Sequence, residues 1–201
     1  RSPKAFCMYS KDESLTTPES LKGKTIAGPA GTNLHELLVS YLAQAGMTMD
    51  DVNYVSMSIP DAKAGLDGGS VDVALLAGAV AYNADKQGYH KVTDGEGLIK
   101  AIIAVATTQK FYDEHPEVIA QLEKSQQEIA DFMKENPDET MSIVAKELDL
   151  DEEAVREMYD YYDFSLNISE DDIDGFQKTA DFMLESGMID EALDVNSLFI
   201  K

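Results

Sequence analysis

The 201 residues carry a formal net charge of -22, with 44% hydrophobic residues, one cysteine and no tryptophan. That length and apolar content suffice for one or two folded domains, while the scarcity of Lys and Arg excludes nucleic acid and anionic membrane surfaces as partners. Charge is uneven. Residues 1–110 hold ten Lys/Arg against twelve Asp/Glu, and residues 111–201 hold six against 26, so the second half reads as a solvated acidic surface.

Ala5 to Tyr9 predicts a short strand, and Ser10 to Ser20 a polar connector. Thr17-Pro18-Glu19-Ser20 has the form of a single capped helical turn. Lys24 to Gly28 predicts a strand ending at Pro29, with a turn at Gly31 and Thr32. From Asn33 to Ala45 the residues Leu34, Leu37, Leu38, Tyr41 and Leu42 form a helical stripe, closed by Gly46. Val52 to Ser58 alternates only partly as a strand, and Pro60-Asp61 opens a helix that stops at Gly68-Gly69. Val71 to Ala77 is nearly continuous in apolar residues, as in a strand buried on both faces. A helix from about Ala79 to Gln87 follows, closed by Gly88. This alternation of strand and helix predicts an α/β layer with a parallel sheet.

Ile99 to Ala106 is a second apolar run. Beyond it the pattern is helical: from Pro116 to Asn136, through Met141 to Leu148, from Asp151 to Tyr162, and from a capping box at Ser169 to Gly187. Glu170, Asp171, Asp172 and Asp174 cluster, but without the alternation and central glycine of an EF-hand. No run is long enough to span a bilayer.

Candidate binding residues lie where strands meet helices. Gly31, Thr32 and Asn33 open a helix whose first amides can hold an anionic or polar group, although every strand-to-helix junction needs such a start. His35 can hydrogen-bond a ligand oxygen, cap the helix or face solvent. Asp61 fits a cap better than a ligand for an amine. Leu76, Ala77 and Gly78 end a strand on the side where open α/β sheets take ligands. Tyr82 and Asn83 follow on the next helix. His35, His90 and His115 lack metal-ligand spacing, no nucleophile elbow or phosphate loop is present, and Cys7 between Phe6 and Met8 reads as packing. The residues therefore predict a binding module without catalytic groups, metal or cofactor.

Leu21-Lys22-Gly23-Lys24-Thr25-Ile26, Gly31-Thr32-Asn33, Ala45-Gly46-Met47, Asp50-Asp51-Val52, Pro60-Asp61-Ala62 and Gly69-Ser70-Val71-Asp72 resemble, in order and spacing, the solute-binding proteins of bacterial ABC importers. The group is the one serving nitrate, aliphatic sulfonates, taurine and thiamine-precursor pyrimidines. Tyr112 to Pro116, Glu135 to Glu139 and Ala180 to Gly187 are similar to its helical tail.

The resemblance implies a type II periplasmic-binding-protein lobe, a mostly parallel sheet with flanking helices, followed by a helical C-terminal segment. Its domains would be a crossing strand and hinge connector at 1–20, an α/β lobe at 21–98, and a return crossing strand with helices at 99–201. Those helices would normally cover a first lobe, and the amino-terminal part that builds it is expected to be missing. A chain beginning at Arg1 is expected to be processed or excised. The implied partners are a small solute, bound by hinge closure, and a membrane permease, without insertion into the membrane. Helices left uncovered would allow self-association. The implied location is extracytoplasmic, as a periplasmic protein or a surface lipoprotein. Where relatives carry a Trp-Glu-Pro signature this chain has Ala77, Gly78 and Ala79. A sensor domain of the same fold, and a pyrimidine-synthesising or desulfinating enzyme using Cys7 or a histidine, are the alternatives.

Overall fold

In the computed structural model, which describes residues 1–199, the chain divides into two units. One comprises Ser2–Ile102 and the segment from Ser169 onward; the other comprises Arg1 and Ile103–Ile168.

The first unit is built on five strands: β1 (Phe6–Ser10), β2 (Thr25–Gly28), β3 (Asn53–Ser56), β4 (Val73–Ala77) and β5 (His90–Asp94). Their order across the sheet is β3-β2-β4-β1-β5. β2 is parallel to both β3 and β4, whereas β1 runs antiparallel to its neighbours β4 and β5. The sheet is therefore mostly parallel, with one reversed strand inserted near its edge. Three helices follow strands in turn: α1 (Asn33–Ala43), α2 (Ile59–Gly68) and α3 (Gly78–Lys86).

Alternation of side chains along β1, β2 and β4 sends apolar residues to both faces, which is why these strands lack a polar period. Met8, Ile26, Val73 and Leu75 meet Leu34, Leu37, Leu38 and Leu42 of α1 in one buried cluster. Cys7, Tyr9, Ala27, Ala74 and Leu76 meet Ala62 and Leu66 of α2 and Ala81 and Ala84 of α3 in a second. The stripe read from the sequence is thus the inward face of α1. Gly28 is required by close packing between strands, because a Cβ there would lie 2.5 Å from Leu75 Cβ.

The second unit is helical: α4 (Gln109–Glu114), α5 (Pro116–Glu135), α6 (Pro137–Leu148) and α7 (Glu152–Tyr159). Met141, Ala145 and Val155 form its small core, and α5 has no buried residue. A further helix, α8 (Glu170–Glu185), returns to the first unit. The Ser169 capping box is formed: its backbone N–H donates to Asp172 Oδ2 at 2.8 Å, and Asp172 N–H donates to Ser169 Oγ.

One sequence expectation needs correction, and one strand had no expectation. The run 99–106 is not a strand. Ile99 and Ala101 are buried against the α1 face of the sheet, but Ile103 and Val105 are 76% and 72% exposed, and no described strand pairs with them. Apolar content alone does not make a strand without a ladder partner. Conversely, His90–Asp94 forms β5 although its sequence, His-Lys-Val-Thr-Asp, carries only one residue that becomes buried, Val92.

Candidate functional site

Because β2, β3 and β4 are parallel, their C-terminal ends lie along one edge of the sheet, with Gly28 opposite Ser56. The antiparallel β1 brings Phe6 to the same edge, opposite Ala77. The starts of α1, on one face, and of α2 and α3, on the other, therefore emerge at that edge, and Gly31–His35, Asp61 and Ala77–Gly78 come to it together.

The three helix starts differ in how their first amides are satisfied. Ser58, before α2, accepts from Asp61 N–H at 3.3 Å and donates its hydroxyl to Asp61 Oδ2 at 2.6 Å. That end is closed from within, and the carboxylate of Asp61 is engaged with Ser58. Thr32, before α1, has extended backbone suited to a cap, yet its hydroxyl donates backwards to Pro29 O at 2.9 Å and it makes no cap bond. Ala77, before α3, has no polar side chain to offer. The first turns of α1 and α3, following the adjacent strands β2 and β4, thus lack a side-chain acceptor from their own caps. Each helix start carries partial positive charge from its unpaired N–H groups.

Gly31 has φ +69°, a conformation costly for any residue with a Cβ. Its N–H donates to His35 Nδ1 at 3.3 Å. Of the donors expected from the sequence, the Gly31 amide is therefore taken up internally, and the amides available to a ligand belong to the helix itself. A backbone amide can only donate, so Nδ1 holds a lone pair and the neutral ring carries its proton on Nε2. His35 stacks on Tyr54, with centroids 5.1 Å apart and 6° between planes, and meets the edge of Phe182 at 5.6 Å. Burial pulls its pKa below the ordinary histidine value. Tyr54 donates to Gly28 O at 2.8 Å, and burial pushes its phenol up to about 12.

Leu76 departs from its expected place. It is fully buried in the second core cluster, so at most its backbone reaches the edge. In a β-strand successive side chains point to opposite faces, and Leu76 falls on the α2/α3 face. Ala77 and Gly78 are half-buried, and Gly78 has φ +56°. Tyr54, Phe182 and Met188 are neighbours of the site that sequence reasoning missed. Met188 Sδ lies 3.6 Å from where a Cβ on Gly31 would sit. Only the Tyr54 position, on a recognised strand next to the Gly31 turn, carried any signal for this.

The catalytic alternative loses its nucleophile. Cys7 is buried in β1, its thiol donates to Lys4 O at 3.3 Å, and burial raises its pKa to about 11. His90 is bonded through Nε2 to Leu15 O at 2.9 Å, and His115 packs on Phe111. Among the described residues no group of three His, Cys, Asp or Glu could hold a metal ion. In the acidic cluster Asp172 caps Ser169 and Asp171 pairs with Lys100. No described helix is long and apolar enough to cross a membrane.

A family model described as NMT1/THI5 like matches residues 1–140. A putative aliphatic sulfonates-binding protein of Bacillus subtilis (strain 168) is 26% identical over 196 residues, covering 95% of this chain. The chain spans 58% of that relative's length. The periplasmic aliphatic sulphonate binding protein of Escherichia coli matches with a TM-score of 0.83 at 20% identity, over 99% of this chain and 70% of that one. The alkanesulfonate-binding protein of Xanthomonas axonopodis pv. citri, bound to MOPS, matches with a TM-score of 0.80 at 20% identity, over 98% and 69%. The mostly parallel sheet with flanking helices is thus the α/β layer that the residue pattern predicted and the periplasmic-binding-protein fold that the resemblance implied. With 140 of its 201 residues covered by the family model, the chain belongs to the NMT1/THI5-like family.

Proposed function

We propose that this chain belongs to the solute-binding component of an ABC importer and that it holds an organic anion, without chemical conversion, at the edge formed by Gly31–His35 and Ala77–Gly78. The observation that carries this reading is the pair of uncapped helix starts following adjacent strands. Two sets of backbone donors at the ends of adjacent strands suit an anionic group with several oxygens, such as a sulfonate. The neutral His35, whose Nε2–H can donate, favours an oxygen acceptor over an ammonium. The sulfonate class, out of the nitrate, sulfonate, taurine and pyrimidine range, is further supported by the names of the relatives, which bind aliphatic sulfonates or alkanesulfonates. The partner of the whole protein would be a membrane permease, and its place extracytoplasmic.

The test is titration calorimetry together with thermal melting, using an alkanesulfonate and an alkylammonium of the same chain length. The sulfonate should stabilise the fold by about 2.7 kcal/mol at a hundred times its Kd, and the ammonium should not. Equal responses to both, or stabilisation by the ammonium alone, would refute the assignment.

A further inference from the structure

Glu36, in the first turn of α1, is only 6% exposed, an unusual place for a carboxylate. Among the described residues its carboxyl has one polar contact, with α8, where Thr179 Oγ1 lies 3.1 Å from Glu36 Oε1. Glu36 Oε2 has no hydrogen-bond partner among the described residues. The same Thr179 hydroxyl lies 3.2 Å from Gly175 O. A hydroxyl has one hydrogen and cannot donate to both acceptors. If Glu36 were ionised, one of these contacts would go unserved and a buried charge would keep one hydrogen bond at most. If Glu36 is a carboxylic acid, it donates to Thr179 Oγ1, Thr179 donates to Gly175 O, and both short contacts are made. Only a neutral carbonyl oxygen, Oε2, is then left without a donor.

No described cation pairs with the carboxyl. Burial raises the pKa of Glu36, a bond donated by Thr179 to the carboxylate lowers it, and no charged neighbour among the described residues acts on it. Flanking Thr179 on α8 are Lys178 and Asp181, the latter bonded to Gln177. Lys100, whose Cγ lies 2.5 Å from where a Cβ on Gly175 would be built, is paired with Asp171. The 3₁₀ turn Pro18–Leu21 brings Glu19, which acts on Tyr41, and His35 adjoins on α1 itself. The residues of β1 and β4 that pack with α1 are Met8, Val73 and Leu75, none of them charged.

Gly175, Thr179 and Phe182 share one face of α8 by their spacing of four and three. Phe182 rests on His35, and Met188, just beyond the helix, approaches Gly31. We propose that Glu36 is a protonated latch, a positioning residue whose carboxylic acid holds α8 across the first turn of α1 through Thr179, and that loss of its proton loosens the helix flanking Gly31 and His35. That this region is the solute site rests on the functional reading above; the latch does not.

Hydrogen exchange of the α8 amides in the full chain tests this, followed from pH 4 to pH 8 and corrected for intrinsic exchange rates. Glu36→Gln keeps a donor toward Thr179 but cannot ionise. In the wild type, opening of α8 should increase up to about tenfold per pH unit between the ordinary and the folded glutamate values, while in Glu36→Gln it should stay flat. Identical pH profiles in both proteins, or a wild-type profile without slope, would overturn the latch. If the variant does not fold, ¹³C titration of the Glu36 carboxyl in the wild type decides: a midpoint above the ordinary 4.5 supports the latch, and one at or below it refutes it. Absent alkanesulfonate binding beside a pH-dependent α8 would refute the functional proposal alone. Intact binding beside a pH-independent α8 would refute the latch alone.

Discussion

Replacing Thr32 by aspartate sets the stability of α1 against the proposed anion site. Thr32 sits at φ -124° and ψ 172°, a backbone suited to capping, yet it directs its hydroxyl to Pro29 and leaves the first amides of α1 without a side-chain acceptor. Aspartate cannot donate to Pro29, which forfeits about 0.5–1.5 kcal/mol. It can accept from the first turn, which gains about 0.5–2 kcal/mol, with a further 0.3–1 kcal/mol from the helix dipole. The net effect on the ligand-free fold lies between about 0.7 kcal/mol of destabilisation and about 2.5 kcal/mol of stabilisation. An anion about 4 Å from the new carboxylate would feel repulsion of about 4 kcal/mol at an effective dielectric near 20, close to a thousandfold in Kd. Melting without ligand and calorimetry with an alkanesulfonate measure the two effects separately. Thr32→Ser, which keeps the hydroxyl, should bind within a few fold of wild type. Undiminished affinity in Thr32→Asp would refute the argument, because it would mean that the first turn of α1 does not meet the anion.

Gly28→Ala should destabilise by about 1–3 kcal/mol, since its Cβ would press on the fully buried Leu75; denaturant unfolding measures this, and an unchanged midpoint would contradict the packing. His35 should titrate by NMR with a midpoint below the ordinary 6.5, because burial disfavours the imidazolium. Its neutral ring contributes stability that is complete above 6.5 and is lost as pH falls through the lower folded value, and a bound sulfonate should raise that midpoint. Cys7, with its thiol raised to about 11, should resist alkylation at pH 8 in the native protein and react once unfolded; Cys7→Ala should leave solute binding unchanged.

The local code of this chain is strong wherever one residue type has one physical use. The leucine stripe of α1 follows from a single face meeting the sheet, the apolar run of β4 from burial on both faces, and the Ser169 cap from amides that need an acceptor. Those features, with the alternation of strands and helices, determined the α/β class and located the Gly31–Thr32 turn from sequence alone. Pairing partners were not legible in the same way. His90–Asp94 is a strand because β1 offers it a ladder, and the more apolar residues 99–106 are not, because no described strand does. Leu76 was assigned to the site by its place at a strand end, but the two-residue period of the strand turns its side chain into the core. The His35 ring is fixed by Tyr54 from β3 and Phe182 from α8, and Glu36 finds Thr179 143 positions away. Such contacts join segments far apart in sequence, so only the tertiary structure decides which amides a ligand can reach and which carboxyl is cut off from water.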